Sequence, residues 1–526
     1  MFCVEISTTL VIAMKKIITI VSLLLHAISY SQSASYDSSF GNDGKITINR
    51  CPGSYVIDAM NLQSDGKIVH ALGGYSSIYG IFSRTNSNGT LDTTFGTNGY
   101  YELSTTTTTV LQPDSNYTMA ELEVQSDNKI VSAGRRESIA ASTFCVSRIL
   151  ENGGLDTSFN GTGFLEVSFG TGVSRGNCMK LQNNGKIIVG GRSGNSSEFF
   201  SLLRLDTNGS LDSTFGTAGK VQTLMSDQSF PYSIAIQLDE KILMGGYILN
   251  NPYGYDFALV RYMPNGALDT SFGINGTVVT TIDTFYNDAI RKILIQNDGK
   301  IVVVGNDADS TGASRIAMVR YLTNGTIDTS FASNGIYISN FYGGSFDAAL
   351  QVDSKIVVSG YSYPTGMEPG VFSVFRYNTN GVLDSDFVNS NVSFPFNGTS
   401  NNASFALLIQ PDNKILAAGE NGVDDPCQVV LGAIVRINPG TLSNETFANS
   451  NVKLYPNPTT GNVFFDNSKS EYEKVVVYNY LGQEISKQEL SFSTNESLDL
   501  SSFSKGVYLL KFIGEHGVTY GKIIKE

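Results

Sequence analysis

At 526 residues the chain is several times the size of an ordinary domain, so it must hold more than one folded unit or a long repeat array. Apolar residues at 41% exclude a disordered chain, and only 16% charged residues with 53 glycines suit strands and turns. A formal charge of −13 repels nucleic acid and anionic lipid, while three His and no Trp leave little for a histidine base or a His-based metal site, so neither cofactor nor metal is expected.

The N-terminus reads as an export signal over residues 1–31, best started at Met14. Lys15 and Lys16 give the positive start, residues 17–28 the apolar stretch, and Ser29 and Ser31 the small residues before a cut at Gln32. An uncleaved anchor is the alternative. No later run of eighteen apolar residues follows, so no transmembrane segment is expected after cleavage. Cleavage would leave Cys51, Cys145, Cys178 and Cys427, an even number whose spacing fits no zinc pattern. Two bridges or four buried thiols are both open.

From Tyr36 onward one phrase organises the chain. LDTSFG and its variants begin at Tyr36, Leu91, Leu155, Leu211, Leu268, Ile327 and Leu383, each with Asp second and Phe fifth. A second phrase, Gln-x-x-x-Lys-Ile, begins at Gln63, Gln125, Gln182, Gln237, Gln296, Gln351 and Gln410. Its apolar flanks and polar centre, as in residues 300–305 (KIVVVG), mark a hairpin of buried strands. A third apolar stretch ends in Arg84, Arg148, Arg204, Arg261, Arg320, Arg376 or Arg436, and a fourth strand follows each LDTSFG phrase after a Gly turn.

Seven four-stranded units, each too small to bury its own faces, predict an all-β, seven-bladed β-propeller over residues 32–437. An open β-solenoid is the alternative. Closure argues for the ring: six Arg phrases are followed eight residues later by the Asp of LDTSFG, whereas Arg436 has Asn444 there and Asp37 has no preceding Arg. The first phrase therefore completes the last unit. One Arg–Asp pair per blade reads as a structural clasp between strand and turn rather than a functional site.

The Gln-x-x-x-Lys-Ile turns and the connections into LDTSFG keep nearly constant length, while the other two loop classes vary. One face of the disc is thus uniform and the other variable, and recognition is expected on the variable face. Its longest loop holds a threonine run over residues 104–117, and Tyr247, Tyr253, Tyr255, Tyr286, Tyr342, Tyr361 and Tyr363 are its candidate ligand residues, with Phe285 and Phe341 beside them. Rings amid Asn and Gly can stack on sugars. Gly172, Ser174 and Gly176 match G-x-S-x-G, but an all-β repeat offers no strand-turn-helix elbow, and only His70 and His516 remain after signal removal. Residues 307–312 (DADSTG) resemble the start of a calcium loop that has Met318 where the bidentate Glu belongs. Both matches read as chance, and no catalytic residue is assigned.

Residues 438–451 form a polar linker, and a small Ig-like β-sandwich is predicted over 452–526, with strands at 463–465, 474–479, 506–512 and the C-terminus. Its phrases VKLYPNPTTG from Val452, VVVYNYLGQE from Val475 and SKGVYLLKF from Ser504 resemble the type A sorting domain of the type IX secretion system. That resemblance implies passage across the outer membrane, handling by the secretion machinery, and removal of the domain with release or surface attachment. Tyr455, Pro456, Asn457, Pro458, Gly461, Gly482, Gly506 and Tyr508 are the positions it carries over. The repeats resemble the delta-60 repeat family, a resemblance that implies a propeller and does not by itself imply any activity. The expected function is therefore an exported, non-enzymatic propeller, secreted or on the outer cell surface, that binds a glycan or protein; a secreted hydrolase or lyase with carboxylates converging on the axis is the alternative.

Overall fold

The computed structural model describes residues 34–48, 55–73, 80–103, 121–137, 142–251, 254–282, 287–363, 370–387, 391–394, 402–425, 428–439, 452, 454–467, 472–479, 484–491, 496–514 and 517–526. The expected signal segment, the threonine run, Cys51, Cys427, Tyr253, Phe285, Tyr286, Gly482 and most of the linker lie outside them. Two compact units are present, Met1–Gly440 and Thr441–Glu526. Among the described residues no helix is long and apolar enough to cross a membrane.

The first unit is a ring of seven antiparallel sheets. Each sheet runs outward from an inner strand. These inner strands are Val56–Leu62, Glu121–Val124, Val173–Leu181, Ser229–Ile236, Ala289–Ile295, Gly343–Leu350 and Asn402–Ile409, in blades one to seven. In blade five the outward order is Ala289–Ile295, Ile301–Ala308, Ser314–Tyr321 and Ile336–Ile338, each paired with its chain neighbour. Period-two strands bury one face against each adjacent blade, so the core lies between sheets. Phe200 and Leu202 of blade three, for example, meet Met244 and Val260 of blade four.

Blade seven closes the ring. Its strands Ile415–Asp425 and Gln428–Asn438 come from the end of the unit, and its outer strand Lys45–Ile48 comes from the beginning, with Lys45 opposite Val435 and Ile48 opposite Gly432. Ser35–Tyr36 adds a further short pairing with Asn438 and Ile437. An open solenoid is thereby ruled out.

The second unit pairs Asn462–Phe465 with Glu496–Asp499, and separately orders Glu484–Glu489, Lys474–Tyr478, Gly506–Gly514 and Gly517–Lys525 into a four-stranded sheet. Val463, Phe465 and Leu498 from the first sheet share one buried core with Val475, Val477, Leu510 and Phe512 from the second, which makes a small sandwich. The strands EISKQE and ESLD have no counterpart among the sequence-predicted elements. Their residues are mostly polar because one side faces water, so no apolar run marks them.

Candidate functional site

The uniform face is built from one side-chain cluster repeated seven times. The Arg of each third strand donates from Nε to the Asp of LDTSFG at 2.6–2.9 Å in all seven blades, including Arg436 to Asp37 across the closure. The Lys of Lys-Ile approaches the same Asp, as Lys186 Nζ does Asp212 at 2.7 Å. The guanidinium lies over the Phe of the phrase, Arg261 over Phe272 at 4.4 Å. Its Nη1 reaches further, to a backbone carbonyl of the following blade, as from Arg148 to Thr207 O at 2.6 Å and from Arg376 to Pro439 O at 2.7 Å. The clasp thus joins strand to turn as expected and also joins each blade to the next. Burial alone would raise the Asp carboxyls, but hydrogen bonds from the Ser or Thr two residues on, the Lys and the Arg outweigh it. Asp37 and Asp269 are held at about 2.

The inner strands carry a second regular device. Six of them bulge at a single residue, five positions before the Gln of the second phrase: Asp58, Asn177, Tyr232, Arg291, Phe346 and Phe405. A bulge re-aims the extra side chain, and all six line one cavity on the axis. In five of the six the glycine of KIVVVG accommodates it, while in blade one Leu72 stands in that place. A Cβ on Gly305 would stand 2.0 Å from the Ala289 carbonyl oxygen, and the same approach recurs at Gly191, Gly246, Gly360 and Gly419. The bulge framework is constant, yet the six bulged residues are of five types.

Within the axis the lysines and most of the carboxylates are spent on one another. Lys292 contacts Asp347 at 2.8 Å and Glu121 at 3.6 Å; Lys180 contacts Glu121 at 3.4 Å and also pairs with Glu123. Asn61 donates to Glu123 at 3.1 Å, and Asp347 accepts from the Leu407 amide at 2.9 Å. Burial pushes both lysines down, but the carboxylates prevail and hold them above the usual lysine range. Most of these contacts link adjacent blades, and Lys292 with Glu121 joins blades five and two across the axis.

On the variable face a hollow of about 410 Å³ opens between blades four and seven. Tyr247, Tyr255, Tyr361 and Tyr363 all line it, with Phe346 and Arg291 at its base. Tyr247 stacks on Phe230 at 4.8 Å and meets Tyr255 at 4.7 Å; Tyr361 meets Tyr363 at 5.3 Å. Tyr342 is 40% exposed and is not among the lining residues, although its carbonyl accepts from the Tyr363 amide. Four of the seven candidate tyrosines therefore come together, Tyr342 stands outside, and Tyr253 and Tyr286 lie outside the described residues. Asp288, Asp307 and Glu420 also border the hollow. The bulged residues beneath it are absent from the sequence-derived candidates, but counting back five from each Gln would have found them.

The other groups that sequence singled out are buried or already occupied. His70 is fully buried with Nε2 3.0 Å from the Thr85 hydroxyl, and burial drives its pKa to about 3. Cys145 and Cys178 are buried free thiols, Cys145 raised by burial to about 12. Ser174 lies within the inner strand Val173–Leu181 and accepts from the Phe169 amide, so G-x-S-x-G forms no elbow. Asp309 is occupied by its own turn, taking the Thr311 amide at 2.8 Å and the Thr311 hydroxyl at 2.6 Å, and Asp307 pairs with Arg315. Asp58 differs. Burial first, then the charge of nearby Glu420, lifts its carboxyl to about 8.

In the second unit the YPNP phrase is anchored through Asn457, which donates to Lys522 O at 2.8 Å and accepts from the Ile524 amide at 3.0 Å. Tyr455, 48% exposed, stacks on Phe464, and Pro456, Pro458 and Gly461 complete the turn into Asn462–Phe465. Tyr508 is buried and donates to Ser504 O at 2.7 Å, and Gly506 opens the strand that carries it.

These features define a closed propeller followed by a separate small sandwich. Residues 453–526 match a secretion system C-terminal sorting domain, and residues 63–95, 125–159, 182–215, 237–272, 296–331 and 351–387 match a domain of unknown function, the DUF5122 β-propeller repeat. The chain is a DUF5122-repeat propeller bearing a type IX sorting tail, which marks it as an export cargo. Each matched segment runs from the Gln of the second phrase to the Phe of LDTSFG, the span of one clasp. The corresponding span of the seventh blade, from Gln410 to Phe40, is divided between the two ends of the ring and is not among the matched segments. A search of curated proteins finds no match. Among solved structures, a catalytically inactive virginiamycin B lyase from Staphylococcus aureus with quinupristin is similar at 13% identity and TM-score 0.39, covering 74% of this chain and 98% of that one. A PL25 ulvan lyase is similar at 8% identity and TM-score 0.34, covering 91% and 96%. A Lactobacillus plantarum protein follows at 12% identity and TM-score 0.37, covering 66% and 86%.

Proposed function

We propose that this chain is an exported, non-enzymatic propeller that binds a glycan in its variable-face hollow, at the outer cell surface or after release, with residues 1–31 as its export signal. The observation that carries the reading is the meeting of Tyr247, Tyr255, Tyr361 and Tyr363 around one hollow on a scaffold whose opposite face is uniform. Tyrosine rings offer flat apolar faces to sugar C–H groups and hydroxyls to their oxygens. The buried His70 and the mutually paired lysines of the axis favour binding over catalysis. The exported protein should retain polysaccharides on a glycan array and in pull-downs without producing new reducing or unsaturated ends. Failure to bind any glycan would turn the reading toward a protein ligand.

A hydrolase or lyase is the second reading, favoured by Asp58, whose carboxyl remains protonated near neutrality beside Glu420 as a general acid requires. New ends from wild type that vanish in Asp58→Asn would establish it. For export, deletion from residue 452 onward should hold the protein in the envelope, and secretion of that truncated form would overturn the sorting role.

A further inference from the structure

Arg291 is the one charged residue bordering the hollow that has no hydrogen-bond or ion-pair partner among the described residues. Asp307 pairs with Arg315, the Asp288 carboxylate takes the Ile282 amide at 2.9 Å, and Glu420 has an interaction of its own. Arg291 instead rests on the Tyr232 ring, 4.7 Å from its centroid, and its Nε and Nη1 are buried without an acceptor. Its place is built, because it is the bulged residue of its inner strand, and Gly305 opposite allows that bulge. It lines both the hollow and the axial cavity below, so it stands where the aromatic walls converge.

A guanidinium is costly to bury unpaired, and its planar fork matches an oxyanion. We infer that Arg291 is a subsite for an anionic substituent, so that the glycan taken by the hollow is an acidic one bearing carboxylate or sulfate groups. This rests on the glycan-binding reading and names its ligand class. The charge of −13 on the chain opposes the approach of a polyanion, but that repulsion is long-ranged. At physiological salt it is screened over roughly 8 Å, whereas a contact pair in a hollow is screened far less.

The full exported chain, immobilised in buffer of physiological ionic strength, would be offered polygalacturonate, dextran sulfate, neutral dextran and methyl-esterified polygalacturonate. Wild type should prefer an anionic probe over its neutral counterpart by about tenfold, as expected of a charge-assisted pair. Arg291→Gln should collapse that ratio and Arg291→Lys should restore part of it. Preference for polygalacturonate lost on esterification assigns a carboxylate, and preference for dextran sulfate alone assigns a sulfate ester. Esterification alters the ligand and not the protein, so the test stands even if Arg291→Gln fails to fold. Equal binding of neutral and anionic probes, or a preference that survives Arg291→Gln, overturns the inference while leaving glycan binding intact. Binding of no glycan by wild type overturns both.

Discussion

The two faces of the propeller solve opposite problems with the same repeat. On the uniform face every blade places the same Arg, Asp, Lys and Phe in the same geometry, and the cluster reaches from each blade to the next. On the variable face six inner strands bulge at the same offset, five of them opposite a glycine, but the side chains they present differ around the ring. Identical residues at identical positions indicate a load shared by all blades. Different residues at identical positions indicate a surface free to vary, which recognition requires.

Acid should break the comparison most completely, because it attacks all clasps together. Their aspartates are held below the unfolded value of 3.8, so their stabilisation is present above about pH 4 and is lost as pH falls through about 2. Circular dichroism should show one cooperative loss of the ring in that window, and a ring that persists below pH 2 would count against the clasps. Next in size is Arg261→Ala. It leaves Asp269 buried without its guanidinium and should cost about 3–5 kcal/mol, read as a lower melting temperature. An unchanged melting curve would reduce the clasp to ornament.

Gly305→Ala should cost less, about 1–3 kcal/mol, because the bulge must flatten or shift to admit one methyl group. It should also weaken glycan retention by displacing Arg291, and retention equal to wild type would separate the bulge from the site. Tyr363→Ala should move the melting temperature least, the ring being half-buried at the rim, while lowering glycan affinity by about 1–3 kcal/mol in titration, the scale of burying one large side chain. Lost stability with retained binding would reverse the roles assigned to the two faces.

What sequence could reveal followed the same division. The clasp was legible because Arg84, Asp92 and their counterparts repeat as residue types as well as positions, and the closing pair of Arg436 and Asp37 followed from the missing phrases at the ends. Tyr247, Tyr255, Tyr361 and Tyr363 were legible as aromatic rings in variable loops. Asp58, Asn177, Tyr232, Arg291, Phe346 and Phe405 were not, because they share only an offset and no chemistry. The axial network escaped for a related reason: Lys292 and Glu121 lie on blades five and two, and their contact depends on side-chain reach across the ring. In the second unit Glu484–Glu489 and Glu496–Asp499 escaped because their residues are mostly polar.

The closure of blade seven also sets a timetable. Asp37 waits for Arg436, 399 residues later, and Lys45–Ile48 has no partner until the strand Gln428–Asn438 arrives. Joining ends so far apart costs about 5 kcal/mol in chain entropy, which the zipper of strand pairing and one clasp must repay at a single late moment. A chain delivered from its beginning therefore travels as an unlocked ribbon with an open edge, and becomes a locked ring only when almost all of the propeller has emerged. Any trimming that reaches past Tyr36 would take away half of the latch.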